Sequence, residues 1–520
     1  MGKIKSVFRK SKKYYSQIYY GALIVLAAVI VIAFFNLQQG LSLWLDEMFQ
    51  VDYCRESSSL LNIICIDPYT PPLFNIIAWV WYRLVPFGEV WLHIPSLCFV
   101  IISLFLIAAI GRRLHGRMLG FLAAMLFVVN AKVFSECIFS FRAYSLLLVL
   151  SCLFLYLYIR RIQTPANEIS WKLSAAMAIT TLALGYTHYF GVLFACMFFI
   201  IDLYLLARGR LNGARLKVFA PYCFALVCYL PWLKIAFATL AKAKTNTLAH
   251  SWQNAMSGGA PNFHSFLYWL SGEVAEVLML FNIACVTCII VNIWRIYKHK
   301  YEWQKDLPMI AMVFVILLML GGMWGYCSFI NTYSMMWVSR YFIPLIPCIV
   351  LVTTLGFYDV LRHLPVPNFL QLVCAVMVVA LLIPSCVATI HNDLLETSST
   401  RFYKNLTQWL EGKDDIEKDT TLVMAVINTT DKGRQIQAWK HYYFNRKDTR
   451  DFDVNILDAL DSEARDNPTY LLYYKKIYVT CQHFDPDIPQ EYKSVLSKNF
   501  TKKKTENPGG GKTYVYIRKK

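Results

Sequence analysis

Charge is scarce in this chain. Asp, Glu, Lys and Arg make up 16% of its 520 residues, against 57% hydrophobic and 15% aromatic. A soluble domain carries about a quarter of its residues charged, so the composition excludes one. Acidic residues are scarcer still. Apart from a group at Asp46, Glu47, Asp52, Glu56 and Asp67, few occur before the last third. The formal net charge of +18 comes without any nucleic-acid-binding module, so no nucleic-acid partner is expected. Most of the fifteen cysteines lie in apolar runs, where Cys behaves as a small hydrophobe. No internal repeat of the transporter type stands out. The glycine run in Lys502–Lys512 has neither the spacing nor the context of a phosphate-binding loop.

What the chain has in abundance is long apolar segments. They fall near 19–36, 71–86, 91–110, 118–134, 143–159, 172–187, 189–207, 217–238, 275–294, 307–327, 341–360 and 368–390. A bilayer crossing needs about 20 such residues as helix, because lipid offers backbone N–H and C=O groups no partners. No small-residue cleavage site follows the basic stretch Lys3–Lys13, so the first segment reads as an uncleaved span. Segment 71–86 is short and opens on Pro71-Pro72. If it lies along the outer surface, then Arg112, Arg113, Arg117, Arg160, Arg161, Arg208, Arg210, Arg215, Arg295, Lys298 and Arg362 all fall on the side of the basic N-terminus. That is the expected cytoplasmic bias. If it crosses, the bias inverts after the first span. The expectation is a polytopic α-helical membrane protein with eleven spans (11–13 by the wider reading) and an outer-surface juxtamembrane helix.

This topology puts the polar loop Ser42–Phe74, Glu136–Arg142, His188, the 239–274 loop, Ser328–Arg340 and the C-terminus on one outer side. Paired acids at the edge of a membrane bundle are expensive to hold and usually functional. The other reading of Asp46-Glu47 is a solvated loop edge or a helix start. Cys54 and Cys65 share this loop and could pair in an oxidising compartment. The long 239–274 loop reads equally as a gate or as a passive connector. Beyond His391 the chain turns polar, and strand-like runs at Thr421–Ile427, Tyr470–Thr480 and Lys512–Ile517 alternate with helical stretches around Arg401–Leu410, Gln435–Tyr443 and Gln490–Ser497. That pattern predicts a small α/β domain, with a hairpin or flexible turn at Lys502–Lys512. The division expected is 1–390, transmembrane, with a first outer loop at 37–90, and 391–520, extracytoplasmic.

An ordered set of short motifs runs through the first 390 residues. Trp44-Leu45-Asp46-Glu47 follows span one, and Pro71-Pro72-Leu73-Phe74 opens the surface segment. Then come Phe87-Gly88-Glu89-Val90-Trp91, Ile94-Pro95-Ser96, Gly111-Arg112-Arg113-Leu114-His115-Gly116, Ser135-Glu136, Arg142-Ala143-Tyr144-Ser145-Leu146, Thr187-His188-Tyr189-Phe190 and Ser339-Arg340-Tyr341-Phe342. In this set the chain resembles the GT-C superfamily of polyprenyl-phosphate-sugar glycosyltransferases, in the family that groups protein O-mannosyltransferases with bacterial lipid A aminoarabinose transferases. Two positions depart from the family: Thr70 stands where a basic residue often precedes the double proline, and His93 replaces another basic residue.

The resemblance implies a glycosyltransferase of the plasma (inner) membrane that moves a sugar, with inversion, from a polyprenyl-phosphate donor to a hydroxyl or amine acceptor: glycolipid, cell-envelope glycan or protein. Membrane lipid is its other partner. Asp46 matches the family's base, with Glu47 orienting it or binding sugar hydroxyls. Arg142 and Arg340 would bind the departing phosphate, since guanidinium forks suit phosphate oxygens; the alternative is interfacial snorkelling. His188 could donate to phosphate or acceptor, or be structural. Glu136 could bind sugar or pair with Arg142. No metal or cofactor is expected, although Asp46, Glu47 and Glu136 are oxygen ligands of the kind Mg²⁺ or Mn²⁺ takes. The competing reading is a transporter or flippase, which would place its acids at broken helices near mid-membrane.

Overall fold

The computed structural model describes residues 2–38, 45–67, 70–86, 88–211, 213–244, 303–330, 339–363, 365–396, 420–427, 453–458, 468–481, 490–506 and 512–519, with 41, 43, 409 and 488. The chain forms two compact units. One comprises 1–37, 61–77 and 90–390; the other comprises 38–60, 78–89 and 391–520.

In chain order the helices are α1 (Gly2–Gln38), α2 (Leu45–Glu56), α3 (Leu60–Cys65), α4 (Leu73–Leu84), α5 (Glu89–His115), α6 (Arg117–Val128), α7 (Tyr144–Ile162), α8 (Trp171–Thr187), α9 (Tyr189–Ala207), α10 (Arg215–Lys244), α11 (Trp303–Gly325), α12 (Ile346–His363), α13 (Asn368–Glu396) and α14 (Gln490–Asn499). Among the described residues eight helices are long and apolar enough to cross a membrane. Ile24, Val25 and Ile32 on α1, Val227 on α10 and Leu381 on α13 are all more than half exposed. Apolar surface of that extent, on helices long enough to cross a bilayer, fits a face covered by lipid. The polytopic helical architecture is as expected, and the count differs in detail. Helix α8 has 17 residues, and the 275–294 run lies outside the described residues.

The expected 118–134 span is interrupted. Helix α6 stops after twelve residues, and a π-helical turn, Val133–Ile138, follows. Asn130 lies in the gap. Its Oδ1 accepts the Lys132 N–H at 3.1 Å and its carbonyl accepts the Val133 N–H at 3.1 Å. A side chain that offers the backbone an alternative acceptor breaks the regular ladder. Helices α5 and α6 cross closely: a Cβ on Gly111 would come within 2.8 Å of the Gly120 Cα, the small-residue contact by which membrane helices approach. Helix α4 has twelve residues, which at ~1.5 Å per residue is about 18 Å, short of the ~30 Å hydrocarbon core.

In the second unit the C-terminal region forms a five-stranded sheet from β1 (Thr421–Ile427), β2 (Asp453–Asp458), β3 (Lys476–Cys481), β4 (Phe500–Glu506) and β5 (Lys512–Arg518), in the order β2-β1-β3-β5-β4. Strand β1 pairs in parallel with β2 and β3, β5 is antiparallel to β3, and β4–β5 is a hairpin. Leu422, Met424, Ile477 and Val479 form one buried face with Tyr492 and Leu496 of α14. Val423 and Tyr478 on the opposite face are buried as well, as in parallel sheets covered on both sides. The α/β character is as expected. The Tyr470–Thr480 run splits into a 3₁₀ turn, Pro468–Tyr473, and β3. The stretches around Arg401–Leu410 and Gln435–Tyr443 lie, but for Trp409, outside the described residues.

Candidate active site

The segment expected as a polar loop is helical. Asp46 and Glu47 occupy the first turn of α2, where unsatisfied backbone N–H groups and the helix dipole favour carboxylates. Glu47 is 1% exposed, whereas Asp46 is only partly buried, so of the two Asp46 is the more open to an incoming molecule. The other end of α2 is held from α4. The Arg83 guanidinium donates to the carbonyls of Cys54, at 3.1 Å, and Ser57. Trp79 Nε1 donates to the same Ser57 carbonyl at 2.8 Å, and Arg83 stacks 4.1 Å over the Trp79 ring. A polar helix of three turns is marginal alone; this clamp on its last carbonyls is the physical reason the loop reading fails. Burial pushes the Cys54 thiol up to about 12, and Cys54 and Cys65 are both free, the one buried and the other exposed.

The first unit carries the basic residues. Helix α8 ends at Thr187 and α9 begins at Tyr189, so His188 alone makes the turn, with extended φ −162° and ψ 146°. Its Nδ1 accepts the Phe190 N–H at 3.2 Å, and its carbonyl accepts the Gly191 N–H at 2.9 Å. Gly191 is required here, since a Cβ would come within 2.5 Å of the Leu184 carbonyl oxygen. The imidazole is boxed by the rings of Tyr341 at 5.3 Å, Phe190 at 5.8 Å and Tyr144 at 6.2 Å. Arg142 lies in the bend just before α7. Arg340 sits in the 3₁₀ turn Ser339–Leu345 before α12, its guanidinium 5.9 Å from the Tyr341 ring centre. Burial, and then the charges of Arg142 and Arg340, push the His188 pKa down to about 4. The ring is neutral at ordinary pH. With Nδ1 accepting, its proton is on Nε2. Two guanidinium forks and one neutral N–H make a set of donors suited to phosphate oxygens.

Glu136 lies in the π-helical turn, with Lys132 Nζ 3.9 Å away. The structure thus gathers Arg142, His188 and Arg340 and puts Glu136 on the same unit; Asp46 and Glu47 belong to the other. Among the described residues no three His, Cys, Asp or Glu side chains converge as a metal site requires. Sequence reasoning missed the Arg83–Trp79 clamp, which joins residues 22 to 29 positions apart and leaves no local pattern. Asp67, named with the acidic group, is buried and accepts from Thr70, which gives the departing Thr70 a local task.

Comparison with known proteins bears on this arrangement. Residues 69–235 match the family model described as dolichyl-phosphate-mannose-protein mannosyltransferase. That stretch takes in Glu136, Arg142 and His188. The fold matches ArnT from Cupriavidus metallidurans bound to undecaprenyl phosphate, with a TM-score of 0.55 over 95% of this chain and 98% of that one, at 12% identity. The apo form of the same ArnT matches this chain with a TM-score of 0.51 at 12% identity, over 96% and 98% of the two chains. The Archaeoglobus fulgidus oligosaccharyltransferase tethered to an acceptor peptide matches with a TM-score of 0.52 at 10% identity, over 97% of this chain and 74% of that one. At such identity the likeness speaks for the fold. No curated protein matches in sequence.

Proposed function

We propose that this protein is a membrane glycosyltransferase of the GT-C type that moves one sugar from a polyprenyl-phosphate donor to a hydroxyl or amine acceptor, a glycolipid, cell-envelope glycan or protein, at the outer face of the plasma membrane. The observation that carries this reading is the gathering of Arg142, His188 and Arg340 at one helix turn, in a fold shared with a protein that holds undecaprenyl phosphate. A lipid phosphate that leaves gains negative charge, and fixed donors aimed at that charge lower the barrier.

In the proposed reaction the acceptor oxygen or nitrogen attacks the anomeric carbon from the face opposite the phosphate. Its bond to carbon forms as the carbon–oxygen bond to phosphate breaks, and the bonding pair leaves with the lipid phosphate. The configuration inverts. The acceptor's proton passes to the Asp46 carboxylate, which must come within about 3 Å of it. Glu47, buried beside it, holds Asp46 or a sugar hydroxyl. Arg142 and Arg340 grip the phosphate, His188 donates through Nε2, and Glu136 takes a sugar hydroxyl. No metal is given a part. The proposed topology places the N-terminus in the cytoplasm and residues 391–520 outside, as an extracytoplasmic domain appended to a transmembrane domain of residues 1–390.

The test is sugar transfer in proteoliposomes, with radiolabelled polyprenyl-phosphate sugars and a membrane extract as acceptor pool. Wild type is expected to release polyprenyl phosphate and label an acceptor, and folded Asp46→Asn to do neither. Full activity in Asp46→Asn removes the base assignment. A wild type that consumes no donor in the panel removes the transferase reading.

A further inference from the structure

The C-terminal sheet gathers cations at one end. Residues 490–520 carry nine Lys and Arg against two acids, Glu491 and Glu506. Strand β3 starts at Lys476, β5 closes on Arg518 and β4 opens at Phe500, and the pairs Lys476–Ile517 and Phe500–Arg518 set these strand ends side by side. The Arg518 N–H donates to the Lys475 carbonyl and the Lys519 N–H to the Asn499 carbonyl, both at 2.9 Å. Lys519 Nζ donates to the carbonyls of Ser497 and Lys498 at 2.8 and 3.0 Å, at the C-terminal end of α14. Lys475, Lys498, Arg518 and Lys519 are thus neighbours, and all four are exposed. Among the described residues of this region the acids stand apart. Glu506 closes β4, about 20 Å along the strand. Glu491 lies in the first turn of α14, and β2, which holds Asp453 and Asp458, is three places from β5 in the sheet.

An apolar tip lies among these cations. The turn Pro468–Tyr473 tucks Tyr470 and Leu472 against the core, as Tyr474 does after it, yet Tyr473 is 82% exposed and Ile517 39%. The Arg518 guanidinium donates to the Leu472 carbonyl and so ties the residue before Tyr473 to the basic end. A tyrosine presents an apolar body and a polar tip, which suits a membrane interface. Apolar side chains ringed by Lys and Arg are the composition of interfacial anchors, and attachment to an anionic lipid surface strengthens about fivefold with each such cation. A soluble polyanion would meet the cations but leave Tyr473 and Ile517 in water.

We propose that this end of the C-terminal sheet docks on the anionic phospholipid headgroups of the membrane that holds the chain, with the Tyr473 ring seated among them. The last candidate span ends at His391 and β1 opens at Thr421. The sheet is therefore tethered to the bilayer at a high effective concentration, where a contact of a few cations suffices. The docking depends on neither the sugar donor nor Asp46, and its test needs no transfer activity.

The experiment is photo-crosslinking of the full chain in mixed phosphatidylcholine–phosphatidylglycerol nanodiscs, followed by peptide mapping. A diazirine at the head of the acyl chain is carried by one lipid or the other, and label is normalised to that on α13, which does not depend on docking. Label on 473–476 and 517–519 is expected to be about fivefold higher from the phosphatidylglycerol probe than from the phosphatidylcholine probe. The two should converge in 1 M NaCl, where the screening length falls to about 3 Å. Lys498→Glu and, separately, Tyr473→Ala should each lower the phosphatidylglycerol label several-fold; both positions are exposed, so the fold is expected to hold. Equal label from the two probes at low salt, or label unchanged in either folded variant, overturns the proposal. Loss of label to inorganic polyphosphate, added at the phosphate concentration of the phosphatidylglycerol, overturns it too and gives the face to a soluble polyanion.

Discussion

One Arg161 guanidinium nitrogen lies 2.6 Å from both carboxylate oxygens of Asp202, with the two side chains 3% and 0% exposed. Tyr158 and Tyr222 donate to the same carboxylate at 3.2 and 2.9 Å, and Arg161 lies 4.6 Å over the Tyr158 ring. The cluster ties α7, α9 and α10 together. Inside a membrane bundle an isolated charge has no water to fall back on, so removal of one partner should cost more than removal of both. Asp202→Leu or Arg161→Leu alone is expected to lose about 3–5 kcal/mol, and the two together appreciably less. Thermal unfolding in detergent of the two single variants and the double variant measures the coupling. Additive losses would mean that the pair does not act as a unit.

The Arg83 clamp predicts a different pattern. Arg83 is exposed and contributes little to the core, yet it holds the last carbonyls of the helix that carries Asp46. Arg83→Ala should leave the unfolding temperature near that of wild type and lower the transfer rate about tenfold, equivalent to roughly 1.4 kcal/mol in the barrier. Arg83→Lys should not restore it, because a single ammonium cannot span two carbonyls and stack on Trp79 as a planar fork does. A full rescue by lysine would show that charge alone matters.

Much of the architecture was legible because apolar runs state their own length. The spans at α1, α5, α7, α9 and α13 follow directly from such runs, and β1 and β5 from short apolar or alternating stretches between polar ones. What stayed hidden depends on partners distant in sequence. Strand β4 reads FTKKKTE, which looks like a turn. It is a sheet edge, where lysines discourage further pairing. Arg161 read as a loop residue that marks topology, whereas it is buried against Asp202, 41 positions away. The signal was available in Asp202 itself, a lone acid inside an apolar run, which implies a cation nearby. The Asn130 break within 118–134 turns on which acceptor a backbone N–H chooses, and composition does not report that. Of the candidate site, Arg142, His188 and Arg340 were legible as polar residues at span ends, and the neutral state of His188 was not, since it follows from burial and from both arginines.

That neutral state has a measurable consequence. The native pKa of about 4 lies below the ordinary 6.5. Between those values the unfolded chain binds a proton that the native protein refuses, so stability should fall as pH drops from 6.5 toward 4 and level off below. His188→Gln is expected to flatten this part of the profile, read as unfolding temperature against pH. The same neutrality predicts that the part of the transfer rate owed to His188 stays flat across this window, because Nε2 keeps its proton. A steep loss of activity near pH 6.5 that disappears in His188→Gln would show that the native ring is charged there.

The turn around His188 offers the sharpest separation of geometry from chemistry. A methyl group at Gly191 would meet the Leu184 carbonyl oxygen at 2.5 Å and the Leu147 side chain at 3.2 Å. The first neighbour is backbone and cannot swing aside, so α8 and α9 must part and carry His188 with them. Gly191→Ala should cost about 1–3 kcal/mol, as overpacking does, and lower transfer further than that loss of fold explains. Gly116 gives the contrast. It stands at φ 87° with nothing near its Cβ position, in the α5–α6 turn of the same unit, so Gly116→Ala should cost comparable stability through backbone strain while the transfer rate per folded molecule stays at the wild-type level. Equal loss of transfer in the two variants, normalised to folded protein, would remove His188 placement as the cause.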